Sequence, residues 1–578
     1  MPSDDHHRRR TFFVPVCCPS FSATAGAPAS PAAAASTAGR LCCWMTRKKR
    51  KRLKHRRASS SGCWERFRAH AVMEGPAPPS SNRRNAVVLE QVSRRLPPFP
   101  QPPPPSFLDP WKAPQRPPAL PLLARLHPRA PPPCGPRRLL ASTAPRVTPF
   151  LHRLVLEHGR TSMSWFGPSP KVTIVDPDLA KDVLSNKFGH FEKLKVPTLS
   201  KMLGSGVASH EGEKWVKHRR ILNHAFHLEK LKRMLPAFST CCEELVSRWA
   251  AESLGSDGSC ELDVSPELQN LTGDIISRTA FSSSYNEGRR IFQLQVEQAS
   301  LVMTNIRKIM IPGYMYLPTA NNRKMRRNNR EVESILREII GKRIQAMEQG
   351  EGTKDDLVGL LLETNMRDDM GMTIEDVIEE CKVFYFVGME TTSVLLMWTM
   401  VVLSMHPEWQ DRAREEVTAL FGRDDKPEYD GLSRLKVVTM VLYEVLRLYP
   451  PATSVVRQTY KEMEVGGVTY PAGVILELPV LLIHHDPDIW GGDAREFRPD
   501  RFSEGVSRAS KDPGAFLPFG WGPRICIGQN FALLEAKMAL CMILQRFEFG
   551  LVPSYAHAPH TVITLHPMHG AQLKLRAI

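Results

Sequence analysis

No Cys-x-x-Cys pair occurs among the twelve cysteines of this 578-residue chain, and their spacing shows no zinc pattern. A disulfide scaffold is also excluded at this size and cysteine density. The N-terminal region has no apolar run of the ~20 residues that a membrane span needs. Thr11 to Cys18 is short and contains Pro15, and the Ala-rich stretch from Ala23 to Gly39 is broken by Pro28 and Pro31. No convincing Gly-x-Gly-x-x-Gly follows a strand pattern, so the chain need not bind a dinucleotide itself. Net charge is missing from most of the protein. The formal charge of +17 comes from residues 1–145, which hold 25 Lys/Arg against 6 Asp/Glu. The remaining 433 residues carry 52 basic and 54 acidic side chains, so charge gives no convincing sign of nucleic-acid binding by the body.

Two regions follow from this. Residues 1–145 form a basic, proline-rich arm: 27 of the 49 prolines lie before residue 150, and residues 47–57 read R-K-K-R-K-R-L-K-H-R-R. Such a composition cannot bury enough apolar surface to offset its ordering entropy, so the arm is expected to be disordered. Residues 146–578 are periodic and read as a helix-rich α+β domain with small sheets. Helices are expected near 177–187, 211–226, 229–250, 265–281, 286–305, 328–349, 373–405, 407–421, 432–448 and 527–547. Strands are expected at 162–166, 171–175 and 463–475, and again near the C-terminus. Val383–Met405 is long and apolar, but Glu390, Thr391 and Thr392 stand in its middle. It reads as a buried helix rather than a membrane span.

The chemistry gathers at a few short patterns. Phe519-Gly520-Trp521-Gly522-Pro523-Arg524-Ile525-Cys526-Ile527-Gly528 places one thiol just before a helix, where backbone N–H groups favour an anion. The three glycines let the backbone approach a flat ligand, and a thiolate there suits axial ligation of haem iron. Trp215 and Arg219 share a helical face and can donate hydrogen bonds to an anion. Glu444 and Arg447 are three apart on a helix among Leu442, Val445, Leu446 and Leu448, which implies a buried pair. Gly388 weakens its helix by about 1 kcal/mol against Ala, so a local reason for it is expected. Thr391 can hydrogen-bond the carbonyl one turn back and open a groove. Glu390, a buried acid beside an alcohol, suits proton relay.

Together these motifs resemble the cytochrome P450 haem-thiolate monooxygenases. The loop matches F-x-x-G-x-R-x-C-x-G. Glu444–Arg447 matches E-x-x-R, Phe497–Phe502 matches the motif of the second arginine, and Trp215–Arg219 matches W-x-x-x-R. The resemblance covers about residues 148–578 and is strongest to a plant subfamily, clan seventy-two A. It implies the cytochrome P450 fold, and haem b as cofactor with Cys526 as axial thiolate. It assigns cofactor contacts to Trp215, Arg219, Gly388, Arg457, Phe519, Arg524 and Gly528. It gives Thr391 and Glu390 catalytic roles in oxygen activation and proton delivery. Arg501 would join Glu444 and Arg447 behind the haem, while His218 could face the propionates or solvent. The implied partners are dioxygen, a lipophilic substrate and an NADPH-dependent flavoprotein reductase, so NADPH acts only indirectly. The reductase would dock on a basic patch at Lys214, Lys217, Arg220 and Lys537. The implied location is the cytosolic face of the endoplasmic reticulum membrane. The family's N-terminal anchor is not evident, so contact through the arm is expected to be peripheral. Val387 departs from the usual Ala or Gly and is expected to crowd the distal pocket. Relatives that rearrange hydroperoxides typically lack the alcohol and lengthen the loop; this chain keeps Thr391 and the ordinary Phe519-to-Cys526 spacing.

Overall fold

The computed structural model describes residues 143–578 apart from 186–190, 196, 253–257, 282–284, 310, 312, 351–355 and 367–371. The basic run at 47–57 and the proline-rich stretch at 97–136 lie outside the described residues. The first half of the domain comprises α1 (Thr143–Val147), α2 (Pro149–His158), β1 (Thr161–Phe166), β2 (Ser169–Ile174), α3 (Pro177–Ser185), β3 (Phe191–Glu192), α4 (Pro197–Leu203), α5 (Gly212–Ala225), α6 (Leu228–Glu252), β4 (Ser259–Asp263), α7 (Val264–Phe281), α8 (Tyr285–Ile309), α9 (Ala320–Glu348) and α10 (Leu357–Met366). The second half comprises α11 (Ile374–Met405), α12 (Pro407–Phe421), α13 (Tyr429–Arg434), α14 (Val437–Leu448), β5 (Val455–Thr459), β6 (Met463–Val465), β7 (Val468–Tyr470), β8 (Ile475–Leu478), α15 (Val480–His484), α16 (Pro487–Trp490), α17 (Gln529–Arg546), β9 (Phe547–Leu551), β10 (Pro559–Thr561), β11 (Leu565–Pro567) and β12 (Gln572–Ala577).

The sheets are small and peripheral to the helices. One has the order β1-β2-β8-β5-β3, another β4-β12-β9, and two are hairpins, β6-β7 and β10-β11. Arg457 lies on β5 opposite Leu476 of β8, which fixes where its side chain leaves the five-stranded sheet. The C-terminal hairpin pairs His560 with His566 and Thr561 with Leu565.

Helix α11 is the longest of the described helices and is central to the packing of residues 143–578. Thr373 and Asp376 form a reciprocal capping box at its start, satisfying two otherwise orphaned N–H groups. Its apolar stretch passes a length-and-hydropathy test for a membrane span, yet most of it is buried inside the protein. Val394, Leu396, Met397, Trp398, Val401 and Leu403 have no solvent exposure. Burial of side chains of this kind stabilises the fold by about 1.5–3 kcal/mol each. Helix α7 packs directly along it. A Cβ on Gly388 would meet Ile276 of α7 at 2.8 Å, and Thr272 donates to the Met389 carbonyl at 2.8 Å. The helix needs its glycine here for close approach to α7.

Some elements differ from the sequence expectation. The helix expected from 328 begins at Ala320, because Thr319 caps it through Asn322 N (3.1 Å). The helix expected over 432–448 is two helices, α13 and α14. Glu416 of α12 accepts from the N–H groups of Lys436, Val437 and Val438 at 2.6–3.0 Å and starts α14 afresh.

Candidate active site

The loop before α17 holds its thiol by backbone geometry. Cys526 N donates to Phe519 O at 2.9 Å, closing the loop. Gly520 (φ 74°) and Gly522 (φ 70°) take the left-handed conformation, and a Cβ on Gly522 would meet the Leu184 carbonyl at 2.4 Å. Gly528 has an ordinary φ of −87° and forms the N-cap of α17. Its value is space: an added Cβ would stand 3.9 Å from the Cys526 sulfur. Cys526 is an exposed residue whose thiol is nonetheless surrounded by protein, whereas Cys241, Cys242, Cys381 and Cys541 are buried outright. Burial pushes the Cys526 thiol up despite the Gly528 N–H and the charges of Arg219 and Lys193, which lower it. Coordination to a metal cation would deprotonate this thiol and give the thiolate expected from sequence.

A cluster of cations lies beside this loop. Arg219 of α5 donates to Ile525 O (2.8 Å) and to Asn223 Oδ1 (3.0 Å), and has no ion pair among the described residues. Arg457 is buried, donates to Val456 O (2.9 Å), and likewise has no ion pair among the described residues. Arg524 stacks over the Trp215 ring at 4.0 Å, donates to His210 O (2.7 Å) and pairs with the Glu211 carboxylate. Lys193, just after β3, donates to Ala208 O. Burial and the charges of Arg457 and Arg524 press the Lys193 ammonium down to about 7. Burial also brings Arg524 to about 10, against the opposing pull of Glu211. Glu211 stands at the N-cap of α5 but makes no capping bond. Its carboxylate goes to Lys193 N (2.8 Å) and Arg524 instead. Phe191, Glu211, Trp215, Arg457, Pro523 and Arg524 line one pocket. An excess of partly desolvated cations calls for an anionic ligand, and two propionates fit that need.

On α11 one face is bared in an otherwise buried helix. Val387 is 40% exposed, and Thr391 one turn later is half-buried. Thr391 Oγ1 donates to the Val387 carbonyl at 2.9 Å. Glu390 turns away from that face. Its Oε1 accepts from Thr564 Oγ1 (2.6 Å) and from His566 Nε2 (2.6 Å) of β11. Burial pushes the Glu390 carboxyl up, but the bond and charge of His566 and the Thr564 hydroxyl outweigh it and hold it below its usual value.

Behind the loop, Glu444 and Arg447 form a fully buried bidentate pair, with two bonds of 2.7 Å. Arg447 also donates to His484 O and Ala494 O, and Arg501 stands 3.6 Å from Glu444.

A family model for cytochrome P450 matches residues 139–567. The chain belongs to the cytochrome P450 family. It is 61% identical over 441 residues to cytochrome P450 CYP72A616 of Paris polyphylla, covering 75% of this chain and 84% of that protein. It is 54% identical over 440 residues to cytochrome P450 72A15 of Arabidopsis thaliana, covering 76% and 86%. A solved cyanobacterial structure, retinoic acid-bound CYP120A1, superposes with a TM-score of 0.65 at 22% identity. That match covers 76% of this chain and 96% of the other, and it shows the fold. The cytochrome P450 is thus a haem-thiolate monooxygenase whose cofactor is haem held by a cysteine thiolate.

The structure gathers Trp215, Arg219, Arg457, Phe519, Arg524, Cys526 and Gly528 of this cytochrome P450 around one loop. Three expectations change in detail. Gly388 meets Ile276, so the contact that requires a glycine is helix packing. His218 faces neither the cation cluster beside the loop nor solvent: it is buried and bonds the Glu380 carboxylate at 2.6 Å. The basic patch is reduced, since Lys214 pairs with Asp376 (2.6 Å) and Lys537 is half-buried against Leu432 O (3.2 Å). Lys193, Glu211, Thr564 and His566 were not legible as site residues. Only Glu211 had a local signal, an acid at a helix start close to Trp215.

Proposed function

We propose that Cys526 is the axial ligand and that the enzyme hydroxylates a lipophilic small molecule of terpenoid, hormone or xenobiotic type. The observation that carries the assignment is that Cys526, unlike Cys241, Cys242, Cys381 and Cys541, is not buried, and that it stands in a loop that Arg219 ties to the cation cluster. In the balanced reaction, substrate R–H, dioxygen, two electrons and two protons give R–OH and water. Haem supplies the oxygen-activating chemistry when bound, and the electrons come from an NADPH-dependent flavoprotein reductase. The chain's own residues do four things. Cys526 ligates the iron, with Gly528 leaving room beside the sulfur. Lys193, Arg219, Arg457 and Arg524 hold the two propionates, Trp215 supporting Arg524 from below. Phe519 closes the loop through its carbonyl. Thr391 holds its hydroxyl on the bared face of α11, and Glu390 retains a carboxylate behind it for proton transfer.

Val387 narrows the space on that face, which favours a slender substrate over a bulky one. Residues 1–145 act as a separable arm from the catalytic domain, 146–578. Exposed apolar groups on α2 and β1 provide a membrane contact beyond the arm: Leu156 is 72% exposed and Trp165 63%. Such a contact is apolar, so membrane binding should survive salt in part; the cytosolic face of the endoplasmic reticulum is the location that membership of the family supports.

The test is the reduced carbon monoxide difference spectrum of the full chain and of Cys526→Ser. The full chain should show the thiolate-ligated band and the variant should lose it. An unchanged thiolate band in the variant would exclude Cys526 as ligand.

A further inference from the structure

The acid of the α11 motif is joined to a residue 176 positions away in sequence. His566 Nε2 and Thr564 Oγ1 both lie 2.6 Å from Glu390 Oε1, and 2.8 Å from one another. Glu390 is 6% exposed, whereas the His566 side chain is 20% exposed. The ring therefore spans from a buried carboxylate to water. Its backbone is fixed: β11 pairs with β10, Leu565 N donates to Pro451 O (3.1 Å), and Trp398 Nε1 of α11 donates to Leu565 O (2.6 Å). The strand is pinned to the helix it serves, so the short contact is a built feature.

We propose that His566 is the solvent-side proton donor to Glu390, a relay residue for oxygen activation that reaches α11 from the C-terminal hairpin. This rests on the monooxygenase function. A proton is taken from solvent at Nδ1, the Nε2 proton passes to Glu390 Oε1, and the ring is left as the neutral Nδ1–H tautomer, which returns to the Nε2–H form by proton exchange with water before the next transfer. To give its proton up toward Thr391, whose hydroxyl is held on the Val387 carbonyl, the Glu390 carboxyl must rotate away from His566 and Thr564. Each proton that reaches the pocket is replaced by one from solvent, and no electron moves. The ionisable groups around the ring are Glu390 from α11, His560 opposite it on β10 and His569 in the following turn. Arg146, on α1 against β10, acts on His557 and is not among the charges that shift Glu390.

The experiment uses the haem-loaded full chain with His566→Gln, His566→Phe and His566→Phe/Glu390→Gln. Glutamine keeps a hydrogen bond to Glu390 but has no proton it can transfer; phenylalanine removes both functions. Infrared difference spectra at neutral pH should show a larger protonated carboxylic acid band in His566→Phe than in the unmutated chain, absent from the double variant, because burial is then opposed by the Thr564 hydroxyl alone. Reductase-supported oxygen consumption in the presence of a spectrally bound probe ligand should fall by roughly tenfold or more in both single variants. Its H2O/D2O rate ratio should rise, with the reduced carbon monoxide spectrum unchanged. Wild-type rate and isotope ratio in His566→Gln would reduce His566 to a hydrogen-bonding prop and overturn the relay. Absence of that infrared increase would overturn the pairing itself, and that readout does not depend on turnover. Loss of the thiolate band in the unmutated chain would instead sink the monooxygenase function and leave the pairing standing.

Discussion

Two groups of arginines flank the cysteine loop, and they are built on opposite plans. Behind it, Arg447 meets Glu444 through two bonds and the carbonyls of His484 and Ala494 through two more, while Arg498 N donates to Glu444 Oε1 at 3.0 Å. Cation and anion are matched, and the network closes on itself. Beside the loop, Lys193, Arg457 and Arg524 share Glu211, and Arg219 has no ion pair among the described residues. Glu192, the other nearby acid, is held by Lys195 at 2.6 Å. Positive charge is in excess there, and the protein carries a desolvation cost that an anionic ligand relieves. A structural ion network is complete without a ligand; a binding site is left short of one.

The comparison breaks most forcefully at Glu444→Ala. This change leaves Arg447 charged and buried without its partner, a loss of about 3–5 kcal/mol. Denaturant unfolding should show it whether or not haem is supplied, and a variant of unchanged stability would refute the closed network. Arg457→Ala should do the reverse. It removes charge-assisted hydrogen bonds to a propionate, about 1.5–3 kcal/mol, so haem should dissociate roughly ten to a hundred times faster. Chain stability measured without haem should not fall.

A smaller effect comes from buried neutral histidines. Burial and nearby cations bring His210 and His557 down to about 4 from 6.5. The unfolded chain then binds more protons between those values, so stability is fully present above pH 6.5 and is lost as pH falls toward about 4. His557→Phe should flatten that slope in thermal melts, and an unchanged slope would count against its burial as a neutral ring. The smallest effect is expected at Val387→Ala on the bared face of α11. Bulkier ligands should give spectral shifts with the variant that they do not give with the natural chain. Identical ligand profiles would remove Val387 as a size filter.

What could be read from sequence follows from how local each feature is. The cysteine loop, the α11 motif and the Glu444–Arg447 pair are short, and their residues act within one or two turns. The start of α14 was hidden because its cap, Glu416, comes from another helix. Helix α10 was missed because Leu357, Val358, Leu361 and Leu362 are all buried and leave little amphipathic period in a short run. Asn322 of α9 is a buried polar residue among Arg323, Lys324, Arg326 and Arg327, which made the first turns look like solvent-facing chain. Lys193 reaches the cation cluster from a loop after β3, and His566 reaches Glu390 from the C-terminus. Neither carries a local pattern, and only the tertiary fold places them.

The claim that the open cluster is a propionate cradle is tested most directly by comparing uptake of haem with uptake of its dimethyl ester, which lacks both carboxylates. The full chain should hold haem far more tightly than the ester, and Arg457→Ala should lose most of that preference while still binding the ester as the natural chain does. Equal retention of haem and ester by the natural chain would contradict the account, because the excess cations would then be answering to something other than the cofactor.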